Sequence, residues 1–279
     1  MALQIPDRLL NNCQKTPERR AWLDRLPHTL RKLERVWSLT LKAPFDGEEV
    51  SCSYVAPVVR KDGSPAVFKI GMPHLEGEHE IDGLRFWSGD PTVRLITADD
   101  DLGAMLLERC EPGTALRTLT EREQDIVISS LLRRLWRSPT APHRFRPLSV
   151  LMDYWTDETR KNIYHWTDAG LVHEGLRLLK ELPHNATKEV LLATDLHASN
   201  VLRAKREPWL VIDPKPFVGD PAYDATSSCS TVRRDCDQTQ TELFEALQTY
   251  WASITSVSDC GRSPAQQRSR GTTGAILTL

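Results

Sequence analysis

Apolar residues recur every three or four positions through Leu23, Leu26, Leu30, Leu33 and Trp37, the spacing of one helix face. Pro17 can open such a helix and Pro27 predicts a break, so the first forty residues read as two helices whose stripe serves packing. The pattern then shortens to three strand-like runs, Leu39–Ala43, Val50–Arg60 and Pro65–Ile70. Asp46-Gly47 and Lys61-Asp62-Gly63-Ser64 supply the turns, and the second is a hairpin signal. Helical spacing returns over Glu76–Trp87, where Glu76, Glu80, Leu84 and Trp87 share a face. Val93–Ile96 and Ala104–Leu107 flank the solvated turn Asp99-Asp100-Asp101 as a second hairpin.

After Leu107 the string Glu108-Arg109-Cys110-Glu111-Pro112-Gly113 changes from strand to breaker, as a hinge would. Helical patterns dominate beyond it. Thr120–Pro139 carries Ile126, Val127, Leu131, Leu135 and Trp136; Leu148–Lys161 and Asp168–Leu182 follow, with Pro139, Pro142 and Pro147 marking a loop. Trp155 is read as core packing before substrate contact.

Composition narrows the classes. The 279 residues are 40% hydrophobic and 27% charged, with a net charge of −2, ordinary for a globular protein and no attraction for nucleic acid. No run approaches the roughly 18–20 apolar residues of a membrane span. The N-terminus has charges and prolines where a signal peptide would be apolar, so a cytoplasmic protein is expected. Cys13, Cys52, Cys110, Cys229, Cys236 and Cys260 form no CxxC pair, which argues against zinc and a disulfide framework. Oligomeric state is not legible.

The chemistry concentrates in Thr194-Asp195-Leu196-His197-Ala198-Ser199-Asn200-Val201-Leu202 and Trp209-Leu210-Val211-Ile212-Asp213-Pro214. An acid and an amide share a loop expected between a helix–turn and a strand, and a second acid ends a Val-Ile run. Phosphoryl transfer from a nucleotide needs one carboxylate to orient and deprotonate a hydroxyl, plus an amide and a carboxylate to hold magnesium on the phosphates. Asp195 is the candidate base, and Asn200 and Asp213 are the candidate magnesium ligands, oxygen donors suited to that ion. Lys69, alone in Pro65–Ile70, is the candidate phosphate ligand of ATP. Glu80 is its expected partner, with Glu76 in reserve. Glu108 and Cys110 would meet the adenine through their main chain. The Pro44–Ser53 loop has only Gly47, so backbone amides or the Ser51 and Ser53 hydroxyls would cradle phosphates. His197 reads as a loop organiser. Lys215 is either a phosphate contact or a surface lysine, Asp224 an anchor for the catalytic loop, and Asp220 a helix cap.

These residues resemble the aminoglycoside/hydroxyurea phosphotransferases, which include streptomycin 6-kinases. The wider superfamily carries His-Gly-Asp-x-His-x-x-Asn; here Ala193-Thr194 stand for His-Gly, while Asp195, His197 and Asn200 match. The resemblance extends over Tyr54–Val58, Asp62–Val67, Phe86-Trp87 with Val93–Leu95, and Ile212–Pro216, about residues 5–226. It implies an α+β, two-lobed protein-kinase-like fold, a small antiparallel-sheet lobe at residues 1–109 and a mainly helical lobe at 110–226, with ATP and magnesium in the cleft and a small-molecule antibiotic acceptor. Residues 227–279 depart from it, turning to Ser, Thr, Gln and Arg with no lysine after Lys215, as a divergent or frame-shifted tail would. Within the tail, Thr239–Glu242 has capping-box form ahead of Leu243, Phe244, Leu247 and Trp251. The alternative is a degenerate nucleotide-binding protein without turnover.

Overall fold

The computed structural model describes residues 4–47, 51–161 and 169–228. The chain divides into two units, Met1–Ser230 and Thr231–Leu279, and the described residues all belong to the first. Of the tail expected from residue 227, Ser227 and Ser228 continue a helix, while the rest, the 239–251 segment included, lies outside the described residues.

Five antiparallel strands, β1 (Leu39–Leu41), β2 (Ser53–Arg60), β3 (Pro65–Gly71), β4 (Leu95–Asp99) and β5 (Ala104–Glu108), form one sheet in the order β1-β2-β3-β5-β4. The β2–β3 hairpin closes where the sequence predicts. Gly63 takes φ +81°, and the Asp62 carboxylate accepts the Ser64 N–H at 2.9 Å. Because side chains alternate along a strand, β3 divides its residues between two environments. Ala66, Phe68 and Ile70 pack into a core with α1 (Asp7–Cys13) and α2 (Pro17–Val36). Val67 and Lys69 face the other way, Val67 beside Met105 and Leu107.

Pro27 does not break the first helical region: α2 runs through it, and the interruption falls earlier, at Gln14–Thr16, where the Thr16 hydroxyl accepts the Arg19 N–H at 3.3 Å. An interior proline costs about 3 kcal/mol. Burying Trp22, Leu26, Leu30 and Leu33 along α2 outweighs that, at roughly 1.5–3 kcal/mol per side chain.

The helix expected over Glu76–Trp87 is shorter. α3 spans Glu80–Trp87, and Leu75–His79 forms turns. The His74 ring fills the space beside Gly77, where a Cβ would stand 2.3 Å from Cε1.

Beyond Glu108 come α4 (Glu121–Leu135), α5 (Leu148–Lys161), α6 (Ala169–Glu181), the short strands β6 (Val190–Leu192), β7 (Val201–Arg203), β8 (Trp209–Val211) and β9 (Phe217–Gly219), and α7 (Ala222–Ser228). α5 has the bounds its apolar spacing predicts, and α4 opens on a Thr120–Glu123 capping box. α4 buries Ile128, Leu131, Leu132 and Leu135, leaving Ile126 exposed. Trp155 shares the stripe of Leu151 and Met152 yet stays 43% exposed, its ring edge-on to Tyr154 at 5.3 Å. Helical spacing identifies a face and not what covers each stretch of it, so the core-packing expectation for Trp155 is corrected.

β6 pairs with β9, and β7 with β8, as two small ribbons. Asp195 therefore follows a strand, not the helix–turn expected from sequence. Val190, Leu191 and Leu192 are wholly buried, and a three-residue strand is too short to show a period of its own.

Candidate active site

Lys69 enters the site from the non-core face of β3. Its Nζ donates to both oxygens of Glu80, at 2.6 and 2.7 Å, and to Asp213. Lys69 and Glu80 are 4% and 3% exposed. A buried ion left without a partner costs several kcal/mol, so the cluster persists because its charges alternate. Glu80, Lys69, Asp213 and Lys215 follow one another in sign, and Lys215 Nζ also donates to Asp213. Burial alone would raise the Asp213 carboxyl; the Lys215 and Lys69 ammonium groups reverse that and hold it well below the usual carboxylate range. Burial likewise works against the Lys215 ammonium, and Asp213 and Glu80 overcome it and raise its pKa. For Glu80 burial prevails over Lys69, and its carboxyl lies above the ordinary value.

Asp195 and Asn200 lie on the loop between β6 and β7. The Asp195 N–H donates to the Ala193 carbonyl at 2.7 Å, and Asn200 Nδ2 donates to the Asp195 carbonyl at 3.0 Å. That bond identifies the amide nitrogen and leaves Asn200 Oδ1 as the acceptor end. The Asp195 carboxylate is half exposed, with His197 Nε2 at 3.9 Å from Oδ1. Two main-chain bonds tie this loop to the Asp213 segment: Ile212 N–H to Asn200 O at 2.8 Å, and Lys215 N–H to Ala193 O at 2.9 Å. Thr194 takes φ +47° and Asp213 φ +53°, left-handed values that L residues rarely adopt. At Thr194 the hydroxyl donates to the Lys215 carbonyl at 2.6 Å. Asp224, fully buried on α7, accepts the Ala193 and Thr194 N–H groups at 2.9 Å each and Trp136 Nε1–H at 3.2 Å. Asp220 accepts the Ala222 N–H at 2.9 Å and so caps α7.

Lys69, Glu80, Asp213 and Lys215 thus form one cluster, main-chain bonds link it to the loop of Asp195 and Asn200, and Glu108 and Cys110 stand apart. Lys69 pairs with Met105 and Ala66 with Glu108, which puts Glu108 about 10 Å farther along the sheet. The Glu108 side chain is held by Arg206 and by the Arg94 N–H, and its own N–H donates to Arg94 O at 2.9 Å. The Cys110 thiol lies in the apolar cluster that includes Val67, Leu202, Leu210 and Ile212, and burial pushes it up to about 12. Ser53 is buried and Ser51 partly so, while residues 48–50 of the expected phosphate loop lie outside the described residues.

Glu76 is half-buried; burial and the nearby Asp195 carboxylate both raise its pKa. His74 was not legible as part of this region. Burial lowers its pKa; Nδ1–H donates to the Met72 carbonyl at 2.8 Å, and the Lys215 and Lys69 ammonium groups lower the pKa further while Asp213 works the other way. A lone histidine after a strand gives no sequence signal. Lys215, read equally as a surface residue, is 6% exposed.

For magnesium, the donor set is one carboxylate, Asp213, which already draws two ammonium groups, and one amide oxygen, Asn200. Among the described residues no three His, Cys, Asp or Glu side chains gather as a metal cage. Two hard oxygen donors completed by phosphates and water suit this ion, so the residues fit it.

A sheet that delivers a glutamate-paired lysine to an Asp-x4-Asn loop and a following aspartate defines a protein-kinase-like phosphotransferase fold. A choline/ethanolamine kinase family protein from Mesorhizobium loti shares that fold, with a TM-score of 0.53 at 14% identity over 88% of this chain and 90% of its own. The chain belongs to the aminoglycoside/hydroxyurea antibiotic resistance kinase family, whose profile matches residues 40–248. It is 32% identical over 266 residues to the streptomycin 6-kinase of Streptomyces griseus, spanning 93% of this chain and 80% of that protein. The hydroxyurea phosphotransferase of Kitasatospora aureofaciens is 35% identical over 211 residues, or 74% of this chain and 61% of that protein. Membership in a kinase family implies ATP as the phosphoryl donor. No helix among the described residues is long and apolar enough to cross a membrane.

Proposed function

We propose that this protein transfers the γ-phosphoryl group of ATP to a hydroxyl of a streptomycin-like aminoglycoside in the cytoplasm, with hydroxyurea as the second acceptor. The observation that carries this reading is the Lys69–Glu80–Asp213 cluster, tied through main-chain bonds to the Asp195–Asn200 loop. In it, the sheet half (residues 1–109) and the helical half (110–226) meet at the Glu108–Cys110 hinge, and residues 227–279 are a divergent tail.

Lys69, held by Glu80, binds the donor phosphates, and Lys215 supplies a second ammonium beside them. The Glu108 and Cys110 main chain meets the adenine edge next to the apolar cluster of Val67, Leu202 and Ile212. Asn200 and Asp213 would hold magnesium, which neutralises charge on the phosphate oxygens when bound. The Asp195 carboxylate orients the acceptor hydroxyl. The hydroxyl oxygen forms a bond to the γ-phosphorus as the bond from that phosphorus to the β,γ-bridging oxygen breaks; ADP leaves with the electron pair, and the hydroxyl proton passes to Asp195. Positioning and electrostatics contribute more than basicity in such a transfer.

The test is incubation with ATP and magnesium and each acceptor in turn, with products read by mass spectrometry. Streptomycin heavier by one phosphoryl group is expected. Unmodified streptomycin and hydroxyurea beside a protein that binds ATP would refute the acceptor assignment.

A further inference from the structure

Two segments must meet at a fixed spacing for the charge cluster to form. One is the Leu75–His79 turn, which leads into α3 and delivers Glu80; the other is Asp213–Phe217, which delivers Asp213 and Lys215 and runs into β9. A single side chain from a third segment touches both. Arg146, on the loop before α5, donates through Nη2 to the Leu75 carbonyl and places Nη1 2.7 Å from Glu78 Oε2. The same guanidinium lies over the Phe217 ring, 5.0 Å from its centroid. Its backbone is fixed as well, since the Val218 N–H donates to Arg146 O at 2.8 Å and Pro147 bridges Val218.

The Arg146 side chain is 18% exposed and Glu78 is 59% exposed, so the ion pair contributes little. The Leu75 carbonyl and the Phe217 face carry the contact. A planar guanidinium can bond one edge and stack on a ring at once, which an ammonium cannot. The approach is close elsewhere too. A Cβ at Gly83 of α3 would stand 3.0 Å from Pro216 Cγ, so α3 and the Asp213–Phe217 segment touch without room for a methyl group. Phe145 adds an edge-on contact to His79, at 6.4 Å, and to Phe86 of α3, at 5.9 Å.

We propose that Arg146 is a positioning residue that fixes the spacing between Glu80 and the Asp213–Lys215 strap, and so sets the phosphate-binding lysines in register. Arg146 acts through Glu80 and need not touch substrate. The inference rests on the proposed roles of Lys69, Glu80 and Asp213.

A double-mutant cycle on the full chain tests it: Arg146→Met, Glu80→Gln and the pair, with kcat and the KM of each substrate measured for ATP and streptomycin, and ATP-magnesium affinity measured by calorimetry independently of turnover. Arg146→Met is expected to lower kcat/KM for ATP by about tenfold to a hundredfold, the scale of a misplaced catalytic group, with the KM for streptomycin unchanged. In the Glu80→Gln background the same change should cost less than about threefold, because the residue it acts through is already lost. Arg146→Lys, which keeps the charge and the apolar stem, should fall between and decides the matter if Arg146→Met does not fold. An equal fractional loss in both backgrounds, or a lowered melting temperature with unchanged ATP constants, would overturn the inference alone. Unchanged ATP kinetics in Glu80→Gln by itself would overturn the reading of the lysine–glutamate pair and the inference with it.

Discussion

Asp224 accepts the Thr194 N–H through Oδ1 at 2.9 Å, binding a helix beyond the last strand to the residue just ahead of Asp195. Burial pushes this carboxyl from 3.8 to about 6, against the Ala193, Thr194 and Trp136 donors. For a group with a raised folded value, the stabilising contribution is complete below the unfolded pKa and is lost as pH rises through the folded one. The charged acceptor therefore supports the loop at some expense to the fold, up to about 3 kcal/mol for such a shift. Asp224→Asn does not titrate. The stability gap between wild type and Asp224→Asn, from urea denaturation, should move against wild type as pH rises from about 4 to 7. Below pH about 6 wild-type kcat should fall as the carboxyl gains a proton, with no such limb in the variant. A gap independent of pH would contradict this account.

Thr194, which stands for the glycine of the resembled His-Gly-Asp-x-His-x-x-Asn pattern, takes φ +47°, a conformation that glycine adopts without steric cost. A β-branched residue there costs about 1–2 kcal/mol, partly offset by its 2.6 Å bond to the Lys215 carbonyl. Thr194→Gly should relieve the strain, lose the bond, and change stability by less than about 1 kcal/mol. Thr194→Val keeps the strain and strands the carbonyl, a loss of about 1–3 kcal/mol. Equal melting temperatures for the two variants would show that backbone conformation is not what glycine serves here.

Removing Lys69 alone leaves Glu80 buried without its ion-pair partner. Breaking a buried pair from one side costs about 3–5 kcal/mol, whereas replacing both partners costs far less. Lys69→Met should therefore be less stable at neutral pH than Lys69→Met/Glu80→Gln, and should recover in acid as Glu80 takes up a proton. Denaturant midpoints decide it. A double variant no more stable than the single one would mean that Glu80 finds another partner.

The sheet was legible because β2 and β3 are short apolar runs, the second interrupted only by Lys69, and because Asp62-Gly63 between them supports one tight turn. α5 was legible because its stripe is unbroken. Pro27 misled because the buried stripe of α2 outweighs a local penalty that sequence alone cannot weigh against packing. β6 was missed because three buried residues have no period. In the site, Asp195, Asn200 and Asp213 stand out by spacing, and Asp224 by its place after the second acid. His74 and Arg146 do not, since their meaning comes from which turns and strands they touch, and those contacts join residues far apart in the chain.

The most direct test of the central claim is transfer of labelled phosphate from ATP and magnesium to streptomycin and to hydroxyurea by wild type and by Asp195→Asn. Wild type should label streptomycin, and Asp195→Asn should lower kcat by about 10²–10⁴-fold, the contribution of a positioned base, while ATP affinity and melting temperature stay unchanged. Undiminished transfer by Asp195→Asn would contradict the account.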